Sequence, residues 1–162
     1  MLDLRSGLLL AAMSLSLAGC DSYPDISDSE RNQPDPSEAS NDTFFGADNI
    51  TEERPVLATL SSDNTIDHYK FTIFQDYNGP LTVTLSGITG DADIELYDFN
   101  LNLVSWSRTA DTSEEVIELW HDAAYNSGSY DNGLYFIRVY TRDAGLISDY
   151  TLEWDFDQGN AE

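Results

Sequence analysis

Between about Glu38 and Phe156 apolar residues recur at every second position in short runs, and each run ends in turn residues. Tyr69, Phe71 and Ile73 fall on one face. Leu81, Val83 and Leu85 oppose Thr82 and Thr84, and Tyr150, Leu152 and Trp154 alternate with Thr151 and Glu153. A period of two suits a half-buried strand and not a helix, whose faces repeat every 3.6 residues. Strands are expected at Val56–Leu60, His68–Gln75, Leu81–Leu85, Ile94–Tyr97, Leu103–Ser107, Val116–Trp120, Leu134–Thr141 and Tyr150–Asp155. Asn78-Gly79-Pro80, Gly87 to Gly90 and Asp131-Asn132-Gly133 read as turns. Phe44 to Ile50 is the one stretch that suits a short helix. About eight strands in about 120 residues, with a single cysteine and hence no internal disulfide, predict one all-β domain: an antiparallel β-sandwich or jelly roll over residues 38–157.

The cysteine itself closes a different pattern. An apolar run begins near Leu8 and ends in Leu17-Ala18-Gly19-Cys20. It is too short to span a bilayer and has the length of a signal-peptide h-region, with Arg5 ahead of it. Small residues leading into the lone cysteine resemble the lipobox of bacterial lipoproteins. That resemblance implies a signal peptide over 1–19, cleavage before Cys20, and palmitate or a similar acyl chain on its thiol. The protein would then be anchored in the cell envelope, on an inner or outer membrane, with its domain in the periplasm or at the surface. An unpaired thiol in an exported chain is thereby accounted for.

Residues 20–37 are rich in Asp, Ser, Glu and Pro and nearly free of apolar side chains, which predicts a disordered acidic tether. Residues 158–162 form a short tail. The formal charge is −23, from 7 basic and 30 acidic residues, and Lys70 is the only lysine. Loss of 1–19 removes Asp3 and Arg5 together and leaves that charge unchanged. Nucleic acid needs clustered Lys and Arg and is excluded as a partner. Anionic lipid surfaces would repel the domain as well.

Several motifs follow one another in a familiar order. Asn41-Asp42-Thr43-Phe44 with Ala47, Asp67-His68-Tyr69-Lys70-Phe71 and Gly90-Asp91-Ala92-Asp93-Ile94-Glu95-Leu96-Tyr97 come first. Ser113-Glu114-Glu115, Gly133-Leu134-Tyr135-Phe136-Ile137-Arg138-Val139-Tyr140 and Tyr150-Thr151-Leu152 complete the series. Together they resemble bacterial pre-peptidase C-terminal domains. The resemblance implies a jelly-roll-like sandwich that usually accompanies secreted peptidases.

Catalysis finds little support. His68 and His121 lie in no HExxH motif, no G-x-S-x-G elbow is present, and His121 with Asp122 lacks an identifiable nucleophile. Both histidines read as structural. Calcium is the more natural cation for so acidic a chain. The family resemblance assigns Asn41 and Asp67, with Asn64, to a calcium site. The two glutamates of the family's acidic segment are replaced here by Ser37 and Ala39, with Glu38 out of register. Asp91 and Asp93 form a second candidate pair, equally suited to accepting backbone N–H groups in a turn. The stretch from Asp98 to Asn102 mimics the start of an EF-hand loop, but Leu103 occupies the required glycine position. Trp106, Trp120 and Trp154 suit core or cross-strand roles as well as a ligand face. Tyr125 and Tyr130, in the polar loop AAYNSGSYDNG, are the candidate ligand-binding aromatics. The expected role is a non-catalytic binding module for an extracellular polymer, matrix or protein, or an accessory factor for a separately encoded secreted protease.

Overall fold

The computed structural model describes residues 41–73, 77–122, 133–143 and 145–157. Nine strands appear among them: β1 (Asp48–Asn49), β2 (Val56–Leu60), β3 (Ile66–Thr72), β4 (Gly79–Ser86), β5 (Asp93–Asp98), β6 (Leu103–Ser107), β7 (Glu115–His121), β8 (Leu134–Tyr140) and β9 (Ser148–Phe156). They form two sheets. The first has the order β1-β3-β8-β5-β6 and the second β2-β9-β4-β7. Every pairing is antiparallel except that of β1 with β3. No helix long and apolar enough to cross a membrane occurs among the described residues.

The alternation seen in the sequence decides the inner faces. Leu81, Val83 and Leu85 of β4, Tyr150, Leu152 and Trp154 of β9, and Tyr69 and Phe71 of β3 all enter one core shared by both sheets. Trp154 stacks on Phe71 at 4.2 Å between centroids, and Phe71 on Tyr135 at 5.5 Å, so aromatic faces tie the sheets together.

Three local expectations change. Phe44 to Ile50 is not helical: it makes a turn, with Ala47 N–H donating to the Phe44 carbonyl at 3.4 Å, and then the two-residue β1. Phe44 is drawn onto the outward side of the first sheet, against His68 (4.2 Å), Tyr97 (5.0 Å) and Phe136 (5.6 Å), which a regular helix there would not serve. Second, Gly79 and Pro80 are not a turn but the start of β4, facing His121 and Trp120 of β7. Pro80 has no N–H to give, yet its carbonyl accepts the Asp157 N–H at 3.1 Å. Third, β3 and β9 begin at Ile66 and Ser148, each two residues before the expected start.

Candidate functional site

The outward face of the first sheet carries the densest polar chemistry. Register places His68 of β3, Arg138 of β8, Glu95 of β5 and Trp106 of β6 in one row across four strands. Glu95 is fully buried. Its Oε1 accepts from Arg108 Nη2 at 2.5 Å, and its Oε2 accepts from Arg138 Nη1 at 3.1 Å and from the Tyr97 hydroxyl. Burial opposes the charge, but the Tyr97 hydroxyl and the two guanidinium groups outweigh it and hold the carboxyl below the usual range. Arg138 lies 4.5 Å over the Tyr140 ring and Arg108 5.5 Å over Trp106. Sequence reading did not single out these charges. The available signal was an arginine inside the apolar run of β8, flanked by Ile137 and Val139.

His68 belongs to the same layer. Its backbone N–H donates to the Asn41 carbonyl at 2.7 Å, and its Nδ1 lies 3.2 Å from the same oxygen. Burial, then the nearby Arg138 charge, lowers its pKa to about 3, so it stays neutral and structural. His121 packs edge-on to Tyr135 and Phe156, with Nδ1 2.7 Å from the Tyr135 hydroxyl, and burial lowers its pKa as well. Among the hydrogen bonds of the described residues, neither ring pairs with a serine or threonine hydroxyl.

The Asn41 carbonyl meets the backbone N–H of His68, the residue next to Asp67. The Asn41 side chain lies near the Tyr69 hydroxyl. Tyr69 and Tyr150 hydroxyls are 2.7 Å apart, and Tyr150 donates to Asp67 Oδ2 at 2.5 Å. Asn64 Nδ2 donates to Asp67 Oδ1 at 3.1 Å. Burial drives both tyrosine pKa values upward, so both remain protonated donors. A calcium shell needs six to eight oxygens. Here one carboxylate receives hydrogens from both neighbours, and the described residues hold no cluster of three His, Cys, Asp or Glu able to bind a metal. Asp67 thus spends both of its oxygens on hydrogen bonds, while the buried Asn64 Oδ1 has no hydrogen-bond partner among the described residues. We expect calcium and magnesium at equal concentration to raise the melting temperature equally, by screening the −23 charge. A calcium-specific increment that Asp67→Ala removes would show the opposite.

Asp91 and Asp93 do not join that set. Asp91 Oδ1 accepts the Asp111 N–H at 3.1 Å, and Asp93 Oδ2 pairs with Arg142 Nε at 3.3 Å. Burial pushes the Asp93 carboxyl up to about 6, Arg142 opposing and the Asp91 and Glu115 charges reinforcing. The folded protein thus holds this proton more tightly than the unfolded chain. The resulting stability is full below the ordinary value of 3.8 and is lost as pH rises through about 6. Asp93→Asn should be more stable than the parent at pH 7 by about 1–2 kcal/mol and equal to it near pH 4, by urea denaturation. A less stable variant at pH 7 would mean that the Arg142 pair outweighs burial.

Asp98 caps the β5–β6 turn, its Oδ1 accepting the N–H groups of Asn100 and Asn102, both at 2.8 Å, which is the turn role and not an EF-hand. Trp154 is core, Trp106 is half-exposed, and Trp120 is 65% exposed beside a groove of about 560 Å³ walled by Leu103, Val104, Leu119 and Tyr135. Cys20, Tyr125 and Tyr130 lie outside the described residues, as do the tether and the glutamate positions.

Among solved structures, the chain is similar to the pre-peptidase C-terminal domain of a collagenase from Bacillus anthracis, with a TM-score of 0.52. The likeness covers 67% of this chain and 94% of that one, at 15% identity. This domain has the pre-peptidase C-terminal fold. No family model and no curated protein matches the sequence. The pre-peptidase C-terminal likeness expected from the motifs therefore holds at the level of the fold, with its two antiparallel-dominated sheets.

Proposed function

We propose that this protein is a lipid-anchored, non-catalytic component of a bacterial cell envelope whose β-sandwich serves as a binding module. The observation that carries the reading is the contrast between its polar and aromatic groups. Glu95, His68, His121 and Asp67, the side chains best suited to chemistry, are all engaged in internal hydrogen bonds. Trp120, by contrast, presents its indole to solvent. Exposed aromatic rings are what interfaces use, whereas a hydrolase needs a free nucleophile and base.

The anchor is the part resting on the sequence alone. Cys20→Ser should accumulate as an uncleaved precursor and take up no radiolabelled palmitate, while the parent is processed and labelled. Normal labelling of the variant would defeat the lipoprotein assignment. The binding role is tested by retention of the purified full chain on a panel of immobilised polysaccharides, collagen and envelope extract. Retention on none of them would defeat it. The collagenase that carries the similar domain favours a second reading, an accessory to a secreted peptidase encoded elsewhere. Co-purification with a peptidase activity distinguishes the two.

A further inference from the structure

The two outward faces of the sandwich differ. That of the first sheet is covered by the turn around Phe44, which leads into the edge strand β1. It also bears the ion pairs found among the described residues, Glu95 with Arg108 and Arg138, and Asp93 with Arg142. On the second sheet, Trp120 is 65% exposed, Val116 on the same strand is 36% exposed, and Leu57 at the opposite edge is 79% exposed. Register fixes what surrounds them. Glu118, Thr82 and Asp155 form one row across β7, β4 and β9, and Val116, Thr84 and Glu153 form the next. Strands about 4.8 Å apart set Glu118 and Asp155 about 10 Å from each other, with Glu153 about 7 Å along β9. All three are exposed, none is in an ion pair among the described residues, and β2, β4, β7 and β9 contain no Lys or Arg.

We infer that this face docks a basic, extended stretch of polypeptide, with Lys or Arg side chains seated over Trp120 and against Glu118, Asp155 and Glu153. The inference rests on the binding role proposed above and gives it a partner class. An ammonium or guanidinium group over an indole gains from the ring as well as from the carboxylates. It also relieves the repulsion among those carboxylates. An extended chain repeats its side chains about every 7 Å, the spacing of the sheet's own rows. A neutral polysaccharide would stack on the indole and leave the charges unrelieved.

The test titrates fluorescein-labelled deca-lysine into the full chain, purified in a neutral detergent, at near-physiological salt. Trp120→Ala should weaken binding about fivefold or more without changing net charge. Glu118→Gln with Asp155→Asn should weaken it about tenfold and flatten its salt dependence. Asp63→Asn with Glu114→Gln removes equal charge from exposed loops and should stay within about twofold of the parent. Equal losses from the two charge pairs, or no loss from Trp120→Ala, would assign the attraction to the whole molecule's charge and overturn the surface. Retardation by dextran that depends on Trp120, with deca-lysine indifferent to it, would overturn it in favour of a sugar site. If the surface fails while the polymer and extract panel still retains the protein, the binding role survives; if the panel retains nothing, both fall.

Discussion

Glu95→Leu lowers the unfolding free energy by about 3–5 kcal/mol, the range for removing one partner of a buried ion pair. The leucine removes the carboxylate that both Arg138 and Tyr97 hydrogen-bond, residues only 6% and 2% exposed. Arg108 has a side chain 16% exposed and can turn toward solvent, which keeps the loss inside that range and below complete unfolding. Tyr97→Phe removes one hydrogen bond from the same carboxylate and should cost about 1–2 kcal/mol. Urea denaturation at pH 7 measures both, with an unchanged m-value as the sign that only stability has moved. A Glu95→Leu variant as stable as the parent would mean that the carboxylate's desolvation had cancelled its two ion pairs.

The largest single effect is expected at Gly133. Its φ is +83°, and a Cβ built there would lie 1.8 Å from the Ile73 carbonyl oxygen, with the next nearest atom that residue's carbonyl carbon. Backbone fills the space, so no rotamer change can clear it. The Ile73 N–H also donates to the Gly133 carbonyl at 2.9 Å, so separating the two chains breaks a bond that ties β3 to β8. Gly133→Ala should lose more than about 4 kcal/mol, or fail to accumulate as soluble protein. Gly87→Ala is the matched control. Its φ is +63°, but the nearest atom is the Thr151 Oγ1 at 3.6 Å, so only the left-handed backbone is penalised, by about 1 kcal/mol. Equal costs at the two positions would show that conformation and not contact governs both.

The strands were legible where one face enters the core and the other meets water. Leu81, Val83 and Leu85 against Thr82 and Thr84 could scarcely be read otherwise. The start of β4 was misread because Gly and Pro usually break chains. Here Gly79 is required by the chain end of β9: a Cβ would meet the Asp157 oxygen at 2.0 Å. The outward face of the first sheet was the harder case. Its alternating His68, Arg138 and Glu95 look like a solvent face in sequence, and only the pairing of β3, β8 and β5 shows them adjacent and buried. Asp67 was legible as a special residue from its motif. Its partners were not, since Tyr150 lies 83 positions away. Trp120 was legible as an aromatic at strand spacing, but its exposure depends on which way β7 turns in the sheet.

The attachment of residues 41–50 also determines how the domain would bear a mechanical load. A pull entering from the amino-terminal side of the described chain reaches the Asn41–His68 hydrogen bonds first, then the Phe44 ring, then the two-residue β1. Each of these is a small, separate attachment, whereas β3 is held to β8 over seven residues. Tension should therefore peel this segment away in a low-force step and leave the paired sheets standing. Residues 41–50 would come away before β3 parts from β8, uncovering the Phe44 cluster and the flank of the core on which Ile50 packs.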